Sequence, residues 1–258
     1  MTTTTAPSAL VSAWNDWHHE REVELAAEHG WLSLTAFHWL PAEPTTFDGL
    51  PGRWHAADGR AVWQADGSND PETATVQEAG SLLWVRHGDA VVELVLRGGR
   101  YAIRLRDPRG PERVAFQGVP AHEVSPRWVR PGRFTPFDAP RRVMVDAARD
   151  DLRQDVTAVG TVEIAFESGS FTLVATAGRD ARLNLSFRDS TSGRETAPWR
   201  VVATSAPTPT GAVIVDFNRA VNLPFAFTAF GTCPAPVPGN ELPFAVTAGE
   251  LAPIRVTP

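Results

Sequence analysis

The sequence predicts a mainly β protein, built of antiparallel sheets in a sandwich or barrel-like arrangement, with one N-terminal helix. Two observations carry this. Beyond Gly30 the apolar residues recur with period two, the period of a strand. Turn dipeptides also fall about every eight to twelve residues, as in all-β chains. Only the first segment, residues 8–30, has the spacing of three and four that a helix requires.

That helix begins at Ser8, a capping residue, after Pro7. It carries Leu10, Trp14, Trp17, Arg21 and Leu25 on one stripe, and Gly30 ends it. His18 and Glu22 lie one turn apart, as metal ligands can, but a solvated helix face accounts for the pair and no metal site is expected there. A first β subdomain, 31–119, opens with the alternating run Trp31 to Leu40. Within it, Asp58-Gly59, Asp66-Gly67, His87-Gly88 and Gly98-Gly99 mark turns, and Ala90–Leu96 pairs with Tyr101–Arg106 as a hairpin. The stretch 120–140 holds five prolines and little alternation, and reads as a seam. A second β subdomain, 141–258, pairs Val162, Ile164 and Phe166 with Phe171, Leu173 and Ala175 around Ser168-Gly169. Its next strand, Arg182–Arg188, puts Leu183, Leu185 and Phe187 on one face. The prolines from Pro207 to Pro243 describe long ordered loops crossing a sheet.

Composition narrows the chemistry. The 258 residues include 24 basic and 30 acidic side chains, for a net charge of −6, and every basic residue is Arg. An acidic balance argues against nucleic acid as partner. Without lysine there is no Schiff-base amine and no phosphate-loop NTPase. One cysteine, Cys233, excludes an intrachain disulfide and a multi-cysteine zinc site. No apolar run is long enough for a membrane span, and the Thr2–Thr5 run lacks the basic and apolar regions of a signal peptide, so the expected location is cytoplasmic. No cofactor fingerprint is present, and neither a zincin helix nor a nucleophile elbow occurs.

Three segments place charged residues beside strand ends: Arg104-Leu-Arg-Asp107-Pro-Arg-Gly110, Asp189-Ser-Thr191-Ser192-Gly193, and Asp216-Phe-Asn218-Arg219-Ala220. Asp107 and Asp189 fit β-turns whose carboxylates accept backbone N–H groups. Asp216 follows the apolar run Ala212–Val215 with no Gly or Pro beside it, so a partly buried carboxylate paired with Arg219 is expected, as structural anchor or functional pair. Cys233, in Gly-Thr-Cys-Pro-Ala-Pro, reads as a small buried residue before it reads as a nucleophile.

These segments, with Gly30–Leu40, Thr232-Cys-Pro234, Asn240–Pro243 and Ala248-Gly-Glu250, resemble a bacterial family catalogued as domain of unknown function 1684. The resemblance runs from about Trp14 to Glu250, is most specific over Asp216–Ala220, and implies no activity. Two departures stand out. Ala197 replaces a common Tyr, and Leu223-Pro224-Phe225 stands where family members carry Pro-Pro-Cys, so any paired-cysteine chemistry of the family is closed to this chain.

The leading expectation is a small-molecule site for an anionic, carboxylate-like ligand, in a binder or a cofactor-independent hydrolase or proton-transfer enzyme. Arg104, Arg200 and Arg219 would hold the anion; Thr191, Ser192, Asn218 and Cys233 would line the site; Asp216, with Asp189, would orient an arginine or act as base. The alternative is a non-catalytic β module that binds another protein, to which nine tryptophans would contribute.

Overall fold

A computed structural model describes residues 8–254, so the Thr2–Thr5 run lies outside the described residues. The architecture is mainly β, with one long helix, α1 (Ala9–Leu25), and one single-turn helix, α2 (Pro111–Val114). Ser8 caps α1: its carbonyl accepts from Ser12 N at 3.0 Å and its hydroxyl from Val11 N at 3.4 Å. The helix stops at Leu25, five residues before Gly30, and a run of turns fills the interval.

The chain divides into two compact units, one made of Glu24–Phe116 with Phe227–Thr232, the other of residues 8–23, Gln117–Ala226 and Cys233–Ile254. The first unit holds β1 (Leu34–Trp39), β2 (Arg53–Ala57), β3 (Arg60–Gln64), β4 (Glu72–Ala74), β5 (Ser81–His87), β6 (Ala90–Arg97) and β7 (Arg100–Arg106). They form an antiparallel sheet of order β1-β7-β6-β5 and a smaller one of order β2-β3-β4. Its core gathers Trp54, Val85, Val92, Leu94 and Ile103. The alternating run at Trp31 opens as a 3₁₀ turn, Trp31–Ser33, and becomes strand only at Leu34. Asp58 and Gly59 have φ of 50° and 71°, the conformation a two-residue hairpin turn needs between β2 and β3.

The second unit holds β8 (Val129–Asp146), β9 (Arg153–Phe166), β10 (Gly169–Ala177), β11 (Leu183–Phe187), β12 (Arg200–Ala203), β13 (Ala212–Asp216) and β14 (Val221–Asn222). They make one seven-stranded antiparallel sheet of order β13-β8-β9-β10-β11-β12-β14. It curls far enough for Thr204 to bridge Val215, but the ladder does not close into a barrel. Leu173, Leu185, Phe187, Val202, Val213 and Val215 point into its core, where Phe217, Val246 and Ala248 meet them. From Val129 onward the Pro-rich stretch 120–140 is strand. Pro131 faces Ile214 of β13 and Pro136 faces Gly160 of β9, each where the ladder runs on one side only, the setting in which a strand tolerates proline.

Candidate functional site

Strand parity explains the most buried charges of the second unit. Leu183, Leu185 and Phe187 point inward along β11, and Asp189 continues that series; Arg200 shares the inward face of β12 with Val202 and lies opposite Phe187. A charge directed into a core needs a partner. Arg200 Nη2 donates to Asp189 Oδ2 at 2.7 Å, with the two side chains 1% and 0% exposed. Nη2 also donates to the carbonyl of Val246 at 3.0 Å, and Nη1 to those of Ala248 and Glu250. Burial lowers the Arg200 pKa and Asp189 opposes that shift. The second oxygen of Asp189 accepts the backbone N–H of Thr191 at 2.6 Å and its hydroxyl, while Ser192 Oγ accepts from Asp189 N at 3.0 Å. This is the expected turn, with a buried guanidinium added. The pair fastens the segment Val246–Glu250 to the sheet.

The Asp216 motif fastens a second segment. Asp216 caps a 3₁₀ turn, Phe217–Arg219, with Oδ1 accepting from Asn218 N at 3.1 Å and Asn218 Nδ2 at 2.8 Å. The buried Asn218 amide then clamps Ser125, accepting from its N–H at 2.9 Å and donating to its carbonyl at 3.0 Å. The Asn218 carbonyl takes the Trp14 indole N–H at 2.6 Å, which docks α1. Arg219 is the expected partner of Asp216, but the pair is loose and partly solvated rather than enclosed. Arg219 lies 3.7 Å from Asp216, the two side chains are 36% and 21% exposed, and its guanidinium reaches the Ala13 carbonyl at 3.3 Å and the Trp17 ring at 5.2 Å. Asn218, two residues away, meets the need of the carboxylate instead.

A third anchor joins α1 to the C-terminal segment. Buried Glu250 accepts from Arg21 Nε at 3.1 Å and from Asn222 N at 2.6 Å, and Arg21 Nη2 donates to the Asn222 carbonyl at 2.8 Å. The pair His18–Glu22 does not form a solvated face. His18 is buried and stacks on Trp14 at 4.4 Å, and Glu22 accepts from Val119 N at 2.8 Å.

Arg104 belongs to the other unit. It lies on β7 opposite Glu93 of β6, 3.7 Å from that carboxylate and hydrogen-bonded to the Thr232 hydroxyl; Arg106 approaches the same carboxylate at 2.8 Å. Cys233 is half-buried, and its carbonyl accepts from Ala148 N at 2.9 Å.

Among the clefts of the second unit, three adjoin these charged residues. The largest, about 800 Å³, is lined by Phe171, Arg188, Ser190, Ser192, Glu241 and Leu242 among others and includes Asp189. Several of its polar groups are engaged. The N–H groups of Ser190, Ser192 and Gly193 all have backbone acceptors, Arg188 donates to the Pro198 carbonyl at 3.0 Å and stacks over Trp199, and the Asp189 carboxylate is enclosed. The other two clefts share Arg127 and Trp128. One, about 430 Å³, adds His122, Glu123, Ser125 and Thr247; the other, about 280 Å³, adds Arg130, Phe166, Glu167 and Phe244. Two residues of these linings carry buried donors without acceptors, the indole N–H of Trp128, which is 6% exposed, and Nε of Arg130. Arg127 donates to the Thr247 hydroxyl at 2.9 Å. Burial, and then Arg200, lower the pKa of His122 against the opposing pull of Glu195 and Asp189, which leaves the imidazole neutral near pH 7. Ser125 and Thr247, in the wall of the larger of these two clefts, belong to the segments that Asn218 and Arg200 hold.

A family model for a protein of unknown function, DUF1684, matches residues 114–251, more than half of the chain. The chain belongs to DUF1684. The DUF1684 match covers Asp189, Thr191, Ser192, Arg200, Asp216, Asn218, Arg219 and Cys233, whereas Arg104 and the Gly30–Leu40 segment fall outside it. Among solved structures, the solution NMR structure of an uncharacterized protein from Haloarcula marismortui is similar, with 27% identity over 57% of this chain and 83% of that one and a TM-score of 0.46. No curated protein matches the chain. Two of the three arginines expected to converge, Arg200 and Arg219, lie in the DUF1684 region, and each serves a different segment. His122, Arg127, Trp128 and Arg130 were not singled out by the sequence, since they sit in the proline-rich stretch with no motif spacing. The parity of Asp189 with Leu183, Leu185 and Phe187 is the signal that would have paired it with Arg200.

Proposed function

We propose that this protein binds a small anionic molecule at the adjoining clefts that share Arg127 and Trp128. The unpartnered indole N–H of Trp128 carries the reading. A buried donor without an acceptor costs stability, and an oxyanion supplies the missing acceptor while guanidinium groups match it electrostatically. Arg127 and Arg130 flank the indole, and Thr247 and Ser125 offer neutral hydrogen-bonding groups in the larger of the two clefts. The buried pairs Asp189–Arg200 and Asp216–Asn218 position those walls rather than meet the ligand.

Binding is favoured over hydrolysis because the carboxylates expected to act as bases are occupied: Asp189 by Thr191 and Arg200, Asp216 by Asn218. One observation supports a proton-transfer reading. His122 lines the same cleft and its lowered pKa keeps it neutral, the state a general base needs.

The test is a titration of ¹⁵N-labelled protein with acetate and with inorganic phosphate, following the Trp128 indole N–H resonance. A saturable shift with dissociation constants on the order of millimolar is expected for fragments this small, and an Arg127→Ala/Arg130→Ala double variant loses it. An indole resonance unmoved by both anions overturns the proposal.

A further inference from the structure

Resting on that anion reading, we infer that the ligand is a monoanionic carboxylate carried on a single flat aromatic ring. Three features of the smaller cleft specify this. It sets Arg127 and Arg130 against Glu167, a net charge of one positive unit, and Arg130 lies 3.6 Å from Glu167. One negative charge neutralises that net positive charge and a second finds no counterpart, which disfavours a phosphate dianion. Three of the remaining lining residues are aromatic, beside Ser168 and Ala245. Trp128, Phe166 and Phe244 all face the cleft, and Phe166 meets Phe244 edge-on, with centroids 4.9 Å apart and planes at 63°. Phe171 extends the cluster at 5.2 Å from Phe244, and the Arg130 guanidinium lies 5.5 Å from the Phe166 centroid. Phe166 and Phe244 are only half-buried, packed on the core with a remaining face toward the cleft. A ring seated there continues the edge-to-face pattern and keeps its carboxylate beside the Arg130 and Trp128 donors. The third feature is size. A volume of about 280 Å³ admits one ring and its carboxylate, and is below what a nucleotide or an extended chain requires.

The experiment compares benzoate, cyclohexanecarboxylate, acetate and inorganic phosphate by the same Trp128 indole shift. Benzoate is expected to bind about tenfold more tightly than acetate, with cyclohexanecarboxylate between them. Replacing Phe244→Leu, which keeps an apolar side chain at this half-buried position, is expected to remove most of the advantage of benzoate over acetate. The comparison among the four anions needs no variant, so it holds whether or not that substitution folds. Benzoate binding no tighter than acetate, or phosphate binding best, overturns the aromatic inference and leaves the anion site standing. An indole unmoved by all four removes the site itself.

Discussion

Arg200 and Arg219 are both guanidiniums beside an aspartate, and water separates their roles. Arg200 and Asp189 are almost wholly enclosed, so removing one leaves the other charged in a low-dielectric interior. Arg219 and Asp216 are 3.7 Å apart and each is partly solvated, where an ion pair contributes little. Arg200→Ala is therefore expected to cost about 3–5 kcal/mol, a fall of roughly 6–20 °C in melting temperature for a chain of this size. Arg219→Ala is expected to cost about 1 kcal/mol or less. Thermal unfolding followed by circular dichroism checks both, and equal losses would contradict the assignment of Arg200 as the anchor. Asp189, Arg200, Asp216 and Asn218 were legible as important residue types. Their partners were not, since Val246, Ala248, Glu250 and Ser125 meet them through backbone groups that every residue carries.

The hairpins were readable because a turn and two alternating flanks are local information. Ala90–Leu96 against Tyr101–Arg106 and Val162–Phe166 against Phe171–Ala175 form as the expected hairpins, with Leu94 opposite Ile103 and Val162 opposite Leu173. The long β8–β9 ladder was not readable. Its connection spans Ala147–Leu152 and its register shifts between Pro136 and Arg141. Gly160 sits at that shift, where a Cβ would come within 2.4 Å of the Thr135 carbonyl and 2.5 Å of the Phe134 ring. Gly160→Ala is accordingly expected to destabilise the protein by about 1–3 kcal/mol, because the clash is with backbone as well as with a ring. Urea unfolding checks this, and a neutral result would mean that the two strands part there at no cost.

The charge balance and the absence of lysine belong to the whole chain, and so does its response to acid. His38 in the first unit and His122 in the second both have lowered pKa values, in each case through burial first; Asp48 opposes the shift at His38, and Glu195 and Asp189 oppose it at His122, where Arg200 adds to it. A histidine whose pKa falls on folding binds its proton more readily when unfolded. Stability is therefore full above its ordinary value and declines as pH drops below about 6.5 toward the folded value. Melting temperature is expected to decline over that window, and a His38→Gln/His122→Gln double variant is expected to flatten the decline. Calorimetry at a series of pH values checks this, and an unchanged slope in the double variant would place the acid sensitivity elsewhere.

By itself the sequence determined the class of fold, the helix, the tight hairpins and the DUF1684 resemblance, because period, turn residues and motif are properties of neighbours along the chain. It also identified Asp189, Arg200, Asp216 and Asn218 as residues needing an account. Only the tertiary structure decided that account. Whether a guanidinium binds a ligand or a carbonyl depends on which distant segments the curled sheet brings to it, as with Arg200 and residues 246–250. The same holds for the clefts, since Trp128, Phe166 and Phe244 lie on three separate segments and become a common lining only when the sheet and its loops have folded. Local periodicity is set by bond geometry, whereas the partner of a buried polar group is set by long-range packing.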